Sequence, residues 1–128
     1  MAVLLDTSIL IAIERGTQGV LRDDEEAAIA AITASELLHG VHRAGRSQRP
    51  VREAFVEQLL ASIPIVPFTL TIARVHARLW SDLLVRGRSV GAHDLLIAAT
   101  AVAMGWPLAT LERAGFNDVP GLRLVDIA

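Results

Sequence analysis

Short apolar runs alternate with amphipathic stretches along this chain. Ala2 to Leu5 is apolar throughout and reads as a buried strand. Asp6-Thr7-Ser8 follows, with side chains able to cap a helix that starts near Ser8, runs to about Arg15 and stops at Gly16. The acidic cluster Asp23 to Glu26 suits the first turn of another short helix. Ala28 to Ile32 predicts a second strand. Thr33 then stands as an N-cap with Glu36 three residues on, the spacing of a capping box, for a helix ending around Gly45. Arg46 to Pro50 reads as loop, Val51 to Ser62 as an amphipathic helix, and Ile63 to Pro67 as a short β-branched strand. A long helix begins at Thr69 or Thr71 and runs to about Val85. It carries Ile72, Val75, Leu79 and Leu83 on one apolar stripe, Trp80 and Leu84 on an adjoining one, and Gly87 stops it. His93 to Met104 is nearly all apolar after Asp94 and predicts a buried central helix ended by Gly105. Trp106 to Ala109 is a further strand, and Leu122 to Val125 can supply a last one.

Strands alternating with helices predict an α/β fold with a mainly parallel sheet covered on both faces. At 128 residues the chain has the length of one ordinary domain, spanning 1–128, with no linker or repeat in it. Hydrophobic residues make up 52% and charged residues 20%, enough for a filled core and against disorder. The formal net charge of −2 argues against binding nucleic acid by bulk positive charge, so a nucleic-acid enzyme here needs a local basic patch. The absence of cysteine excludes disulfides, zinc–thiolate sites and thiol catalysis. All twelve basic residues are arginine, so a P-loop NTPase, a Schiff-base enzyme and a lysine-dependent receiver domain are excluded as well. Met1 to Ile13 is too short and too interrupted by Asp6 for a signal peptide or a membrane span, so cytoplasmic residence is expected.

The candidate chemistry is acidic. In an open parallel sheet, ligands bind beyond the carboxyl ends of the strands. Asp6 directly follows the first strand, Glu36 lies in the first turn of the helix after the second, and Asp94 opens the central helix. Three carboxylates on one edge repel each other unless a cation compensates them. Oxygen ligands without cysteine favour Mg²⁺ or Mn²⁺, and such an ion suits phosphoryl chemistry by activating water and stabilising developing charge. Each acid alone also has a plain structural reading: Asp6 as a helix cap, Glu36 as half of a capping box, Asp94 as a partner of the helix dipole. Their joint placement at strand ends is what favours a metal site.

Three stretches in order, Leu4-Leu5-Asp6-Thr7-Ser8, Thr33-Ala34-Ser35-Glu36-Leu37-Leu38-His39-Gly40 and Gly91-Ala92-His93-Asp94-Leu95-Leu96-Ile97-Ala98-Ala99, give the chain a resemblance to PIN-domain ribonucleases. It is similar in particular to the toxins of VapBC-type toxin–antitoxin pairs, and the tail Val119-Pro120-Gly121-Leu122 fits too. The resemblance implies a PIN-like three-layer α/β/α sandwich. It implies a Mg²⁺- or Mn²⁺-dependent endoribonuclease, the toxin of a type II pair, cleaving RNA with a metal-activated water. Asp6, Glu36 and Asp94 would be the catalytic, metal-binding acids, with Thr7, Ser8 and Thr110 supporting the site through their hydroxyls. A small cognate antitoxin, a homodimer and a higher-order toxin–antitoxin assembly are the implied partners, with no membrane. The alternatives are a PIN nuclease of RNA processing without an antitoxin, and a catalytically silent PIN-like binding module.

Many such proteins continue with Thr-x-Asn-x-x-Asp-Phe, which adds a fourth acid. Here the stretch is Thr110-Leu111-Glu112-Arg113-Ala114-Gly115-Phe116, so Glu112 stands at the Asn position and Gly115 at the Asp position. Either Glu112 supplies the charge from a different backbone position or water completes the shell; Asp118 fits the register less well. Arg43, Arg46, Arg49 and Arg52 can track a phosphate backbone, and Arg86 and Arg88, just ahead of Asp94, are better placed for it. His39 and His42 share a helix face with Glu36 but lack the second Glu-x-x-His of a di-iron bundle, and read as packing or surface residues. His93 reads as a capping or exposed residue. Trp80 and Trp106 are read as core rather than as stacking platforms. Ile9, Leu10, Ile13, Val20 and Leu21, beside the Val51 to Leu60 helix, exceed what one small core needs; the resemblance makes this region the antitoxin groove.

Overall fold

The computed structural model describes residues 2–16 and 26–125. Four strands and five helices follow one another as β1 (Ala2–Leu5), α1 (Thr7–Glu14), β2 (Glu26–Ala30), α2 (Ala31–Arg43), α3 (Arg49–Ser62), β3 (Ile65–Val66), α4 (Leu70–Val85), α5 (Ala92–Met104) and β4 (Leu108–Ala109). A 3₁₀ turn at Arg113–Gly115 closes the series. All strands pair in parallel, in the order β3-β2-β1-β4. Leu124 extends the sheet by a single parallel bridge to Leu108, which is all that forms of the last expected strand.

Alternation along the strands divides the core into two apolar clusters, one on each face. Leu4, Ala28, Ala30 and Leu108 pack with Ile72, Leu79 and Leu83 of α4, with most of α5, and with Phe116. Val3, Leu5, Ile29 and Ala109 face the other way, against Ile9 and Leu10 of α1, Leu37 and Val41 of α2, and Val56 of α3. The result is the parallel sheet covered on both faces that the alternation predicts, in the three-layer α/β/α arrangement that the resemblance implies.

Element boundaries depart from expectation where alanine predominates. The second strand runs Glu26–Ala30, not Ala28 to Ile32, and the following helix starts at Ala31. Ala27 to Ala34 holds no residue that breaks either conformation, so packing decides the boundary. Thr33 is therefore no cap. It sits inside α2, fully buried, its hydroxyl without a hydrogen-bond partner among the described residues, and the N-cap is Ala30. Glu36 moves from the first turn to the second. Of the acidic cluster placed in a helix, Glu26 opens β2 instead, and residues 23–25 lie outside the described residues, as do Val20 and Leu21. Helix α3 begins at Arg49, earlier than expected, with Pro50 accommodated in its first turn.

Helix α4 follows the expected pattern more closely. The Thr69 hydroxyl caps it by accepting from the Ile72 amide at 3.3 Å, and Ile72, Leu79 and Leu83 are buried. The second stripe is not core: Trp80 is 56% exposed and Leu84 68%. Trp106, in contrast, packs against the core as expected. No helix among the described residues is long and apolar enough to cross a membrane.

Candidate active site

The strand order sets the location. After β1 the chain moves toward β2 and β3, whereas β4 lies on the other side of β1 and the chain continues outward to Leu124. The gap beyond the carboxyl ends of β1 and β4 is thus a topological switch point, where open α/β sheets form their crevice. Asp6 and Thr110 are the first residues past those two strands. The Asp6 amide donates to Ala109 O at 2.9 Å, which locks the two strand ends together.

Asp6 is 3% exposed, and its carboxylate does not cap α1. Its Oδ2 accepts instead from Ser8 Oγ at 2.8 Å and from Thr110 Oγ1 at 2.7 Å. Ser8 Oγ in turn accepts from the Leu111 amide at 3.0 Å, and Thr110 Oγ1 from the Glu112 amide at 3.0 Å. Each hydroxyl is oriented because its lone pair is claimed by the backbone, which directs its proton at Asp6. Both donors serve the same oxygen. Among the described residues no hydrogen bond reaches Oδ1, so that oxygen keeps its acceptor capacity.

Glu36 is reached from two sides. Thr7, the first residue of α1, donates its hydroxyl to Oε1 at 2.7 Å, and His93 Nδ1 stands 3.4 Å from Oε2. Local pattern offers no reason to pair His93 with Glu36, because the contact spans 57 residues. His93 is exposed, as expected, with 59% of its side-chain surface free.

Asp94 lies in the first turn of α5, whose N-cap is Gly91. Burial raises its carboxyl pKa, and the charges of Asp6, Glu112 and Glu36 push it further up, against a smaller lowering effect from His93. Among the described residues no hydrogen bond or ion pair reaches this carboxylate. Its other neighbour is bare backbone: a Cβ added to Gly115 would lie 3.3 Å from Asp94 Oδ2. Asp94 is thus a half-buried acid crowded by negative charge and served by no donor.

The structure brings Asp6, Glu36, Asp94 and Glu112 into one electrostatic neighbourhood, together with Thr7, Ser8 and Thr110. No three of the described acidic or histidine side chains form a ready cage for an ion. An ion such as Mg²⁺ keeps several waters and needs only one or two carboxylates from a protein. The donor set fits such an ion: hard oxygens, an uncompensated excess of negative charge, and one Asp6 oxygen left open.

The arginines separate into two groups. Arg43 is two helical turns beyond Glu36, about 10 Å along the axis of α2. Arg46 lies on the loop beyond it and is likewise exposed. Their neighbours are engaged in the scaffold: Arg49 donates to the His42 and Ala44 carbonyls at 3.1 Å, and Arg52 pairs with Glu14 at 3.3 Å. Arg86 and Arg88 instead line an open groove with Asn117, Asp118, Val119 and Pro120. His39 and His42 are exposed.

A family model described as PIN domain matches residues 3–122. Ribonuclease VapC1 of Rickettsia felis is 34% identical over 131 residues, covering 100% of this chain and 98% of its own. A chain in the structure of VapBC-5 from Mycobacterium tuberculosis, a member of the VapBC family of toxin–antitoxin systems, is 30% identical, with a TM-score of 0.79 over 98% of both chains. A chain of VapBC2 from Rickettsia felis, solved bound to a DNA fragment from their promoter, shares the fold over 100% of both chains, with a TM-score of 0.89 at 24% identity.

Proposed function

Because the chain belongs to the PIN-domain family, we propose that it is a metal-dependent endoribonuclease acting as the toxin of a toxin–antitoxin pair. The observation that carries the chemistry is Asp94, half-buried, within the field of the Asp6, Glu112 and Glu36 carboxylates and with no donor among the described residues. A site of that kind wants a cation. Similarity to a protein named as a ribonuclease supports RNA as the substrate, and likeness to members of VapBC complexes supports a protein antitoxin as partner.

Mg²⁺ or Mn²⁺ bound here supplies charge stabilisation at the phosphate and a water of lowered pKa. The chain's residues do the positioning. Asp6 and Asp94 would hold the ion, while Ser8 and Thr110 keep the Asp6 carboxylate oriented by donating to its Oδ2. Glu36, fixed by Thr7 and His93, faces the same space and accepts a hydrogen bond from an attacking water. Glu112, its backbone tied to Thr110, adds the further negative charge that Gly115 does not carry. Hydrolysis places water across one P–O bond, leaving one phosphate monoester end and one hydroxyl end.

The groove among α1, α2 and α3, lined by Leu10, Ile11, Glu14, Arg52 and Phe55, opens at Thr7 and Glu36. An antitoxin segment seated there blocks the site. The exposed apolar residues Phe68, Trp80, Leu84 and Val85 suit a homodimer contact, and the cell interior is the expected location. Induced expression tests the reading. Wild type should arrest growth and Asp94→Asn should relieve the arrest; purified wild type should cleave RNA with Mg²⁺ or Mn²⁺ and Asp6→Asn should not. Equal cleavage by both proteins would sink the site, and metal binding without cleavage by wild type would make the protein a silent binding module.

A further inference from the structure

Two arginines outside the acid cluster have no side-chain partner among the described residues. Arg86 and Arg88 flank Gly87, whose φ of +66° ends α4. The Arg88 amide bonds to Leu83 O at 2.9 Å and the Gly87 amide to Leu84 O at 3.1 Å, the paired bonds of a Schellman motif. That motif fixes both arginine Cα positions on a rigid turn. Both side chains are exposed, and among the described residues neither makes an ion pair nor a hydrogen bond. They line one wall of a groove of about 520 Å³ whose other wall is Asn117 to Pro120.

The Asn117 wall of this groove begins, along the chain, close to the residue that faces Asp94. Gly115, whose missing side chain faces Asp94 Oδ2, is two residues before Asn117. Two residues span at most about 7.6 Å between Cα atoms. A strand with one phosphate at Asp94 can therefore have a neighbouring phosphate in the groove. Guanidinium forks on one wall and the Asn117 amide on the other match phosphate oxygens. Asp118, also in the groove, leaves a net positive charge there, opposite in sign to the acid cluster.

We propose that Arg86 and Arg88 form a subsite for a phosphate of the RNA strand flanking the bond to be cleaved. This supplies the local positive charge that the overall −2 does not. The proposal rests on the nuclease reading above, and its test separates the two.

Wild type, Arg86→Ala, Arg88→Ala and the double variant are compared on a short fluorescein-labelled single-stranded RNA. Binding is followed by anisotropy in chelator over a range of salt, and cleavage under Mg²⁺. Losing this one phosphate contact in the double variant should flatten the log–log dependence of affinity on salt by about 0.7, and each single variant should lose part of that. In cleavage, KM should rise several-fold while kcat changes little, because the acids are untouched. Melting temperatures should stay with wild type, since neither side chain holds the fold. Unchanged affinity and salt slope in the double variant would overturn the subsite, even with cleavage intact. A changed oligomeric state with unchanged RNA affinity would overturn it too, making the groove a protein contact. Wild type that binds RNA with arginine-dependent salt slopes but never cleaves would keep the subsite and end the nuclease reading.

Discussion

Thr110→Val removes one hydroxyl and keeps the side chain's shape. Thr110 is 1% exposed, and its hydroxyl donates to the buried Asp6 carboxylate at 2.7 Å while accepting from the Glu112 amide at 3.0 Å. A hydrogen bond to a charged group contributes about 1.5–3 kcal/mol, and the loss is hard to repair here because the valine methyl fills the space water would need. The Glu112 amide is nearer solvent and loses less. A net cost of about 2 kcal/mol follows. With an unfolding entropy of about 2.1 cal/mol/K per residue over 128 residues, that lowers Tm by about 7 °C. Thr110→Ser keeps the hydroxyl and loses one methyl, costing about 0.8 kcal/mol, or about 3 °C. Melts in chelator, free of any metal contribution, compare the three proteins. The valine variant should also need more Mg²⁺ for half-maximal cleavage, because Asp6 loses one of its two anchors. If the valine variant melts with wild type, or the serine variant melts below it, the hydroxyl does not hold Asp6 and the hydrogen-bond account of the site is wrong.

Two further tests address the charge and the core. Asp94→Asn should raise the melting temperature in chelator at neutral pH while abolishing cleavage, since it removes a carboxylate whose pKa is raised by burial and three neighbouring acids. A raised acid binds its proton more readily folded than unfolded, so the Asp94 contribution to stability is full below the ordinary carboxylate range and lost as pH rises through its folded value. The gap between variant and wild type should accordingly close as the pH is lowered, and close at neutral pH when Mg²⁺ is added, because the ion stabilises wild type by binding; a gap indifferent to both would contradict the crowding. In the core, Leu79→Ala removes a side chain 1% exposed between α4 and the sheet, and denaturant titration should show a loss of about 2–5 kcal/mol.

The sequence carried the layering well, because strand alternation and helix periodicity are local properties. Val3, Leu4 and Leu5 face opposite clusters as a buried parallel strand requires, and Thr69 caps α4. It carried the β2–α2 boundary badly, because the alanines on both sides favour helix and only packing in the sheet holds Ala27 to Ala30 extended. The capping box at Thr33 and Glu36 was thus a spacing without a cap. Losing it strengthened the site: with no helix end to serve, Glu36 is held by Thr7, and Asp6 by Ser8 and Thr110, in bonds no helix needs. The Asp6–Thr110 contact itself depended on β4 lying beside β1, a placement that pairwise spacing along the chain does not encode. Trp80 was misjudged for a related reason. Periodicity gives the width of an apolar face, and only packing decides how much of it is covered.

The central position of β1 also orders events during synthesis. Its outer neighbour β4 comes late in the chain, and Thr110 behind it comes 104 residues after Asp6. A ribosome has made most of the chain before Asp6 can meet its second hydroxyl, and before Asp94 exists to crowd it. The acid cluster is completed last, by the portion of the chain that also supplies the edge strand β4.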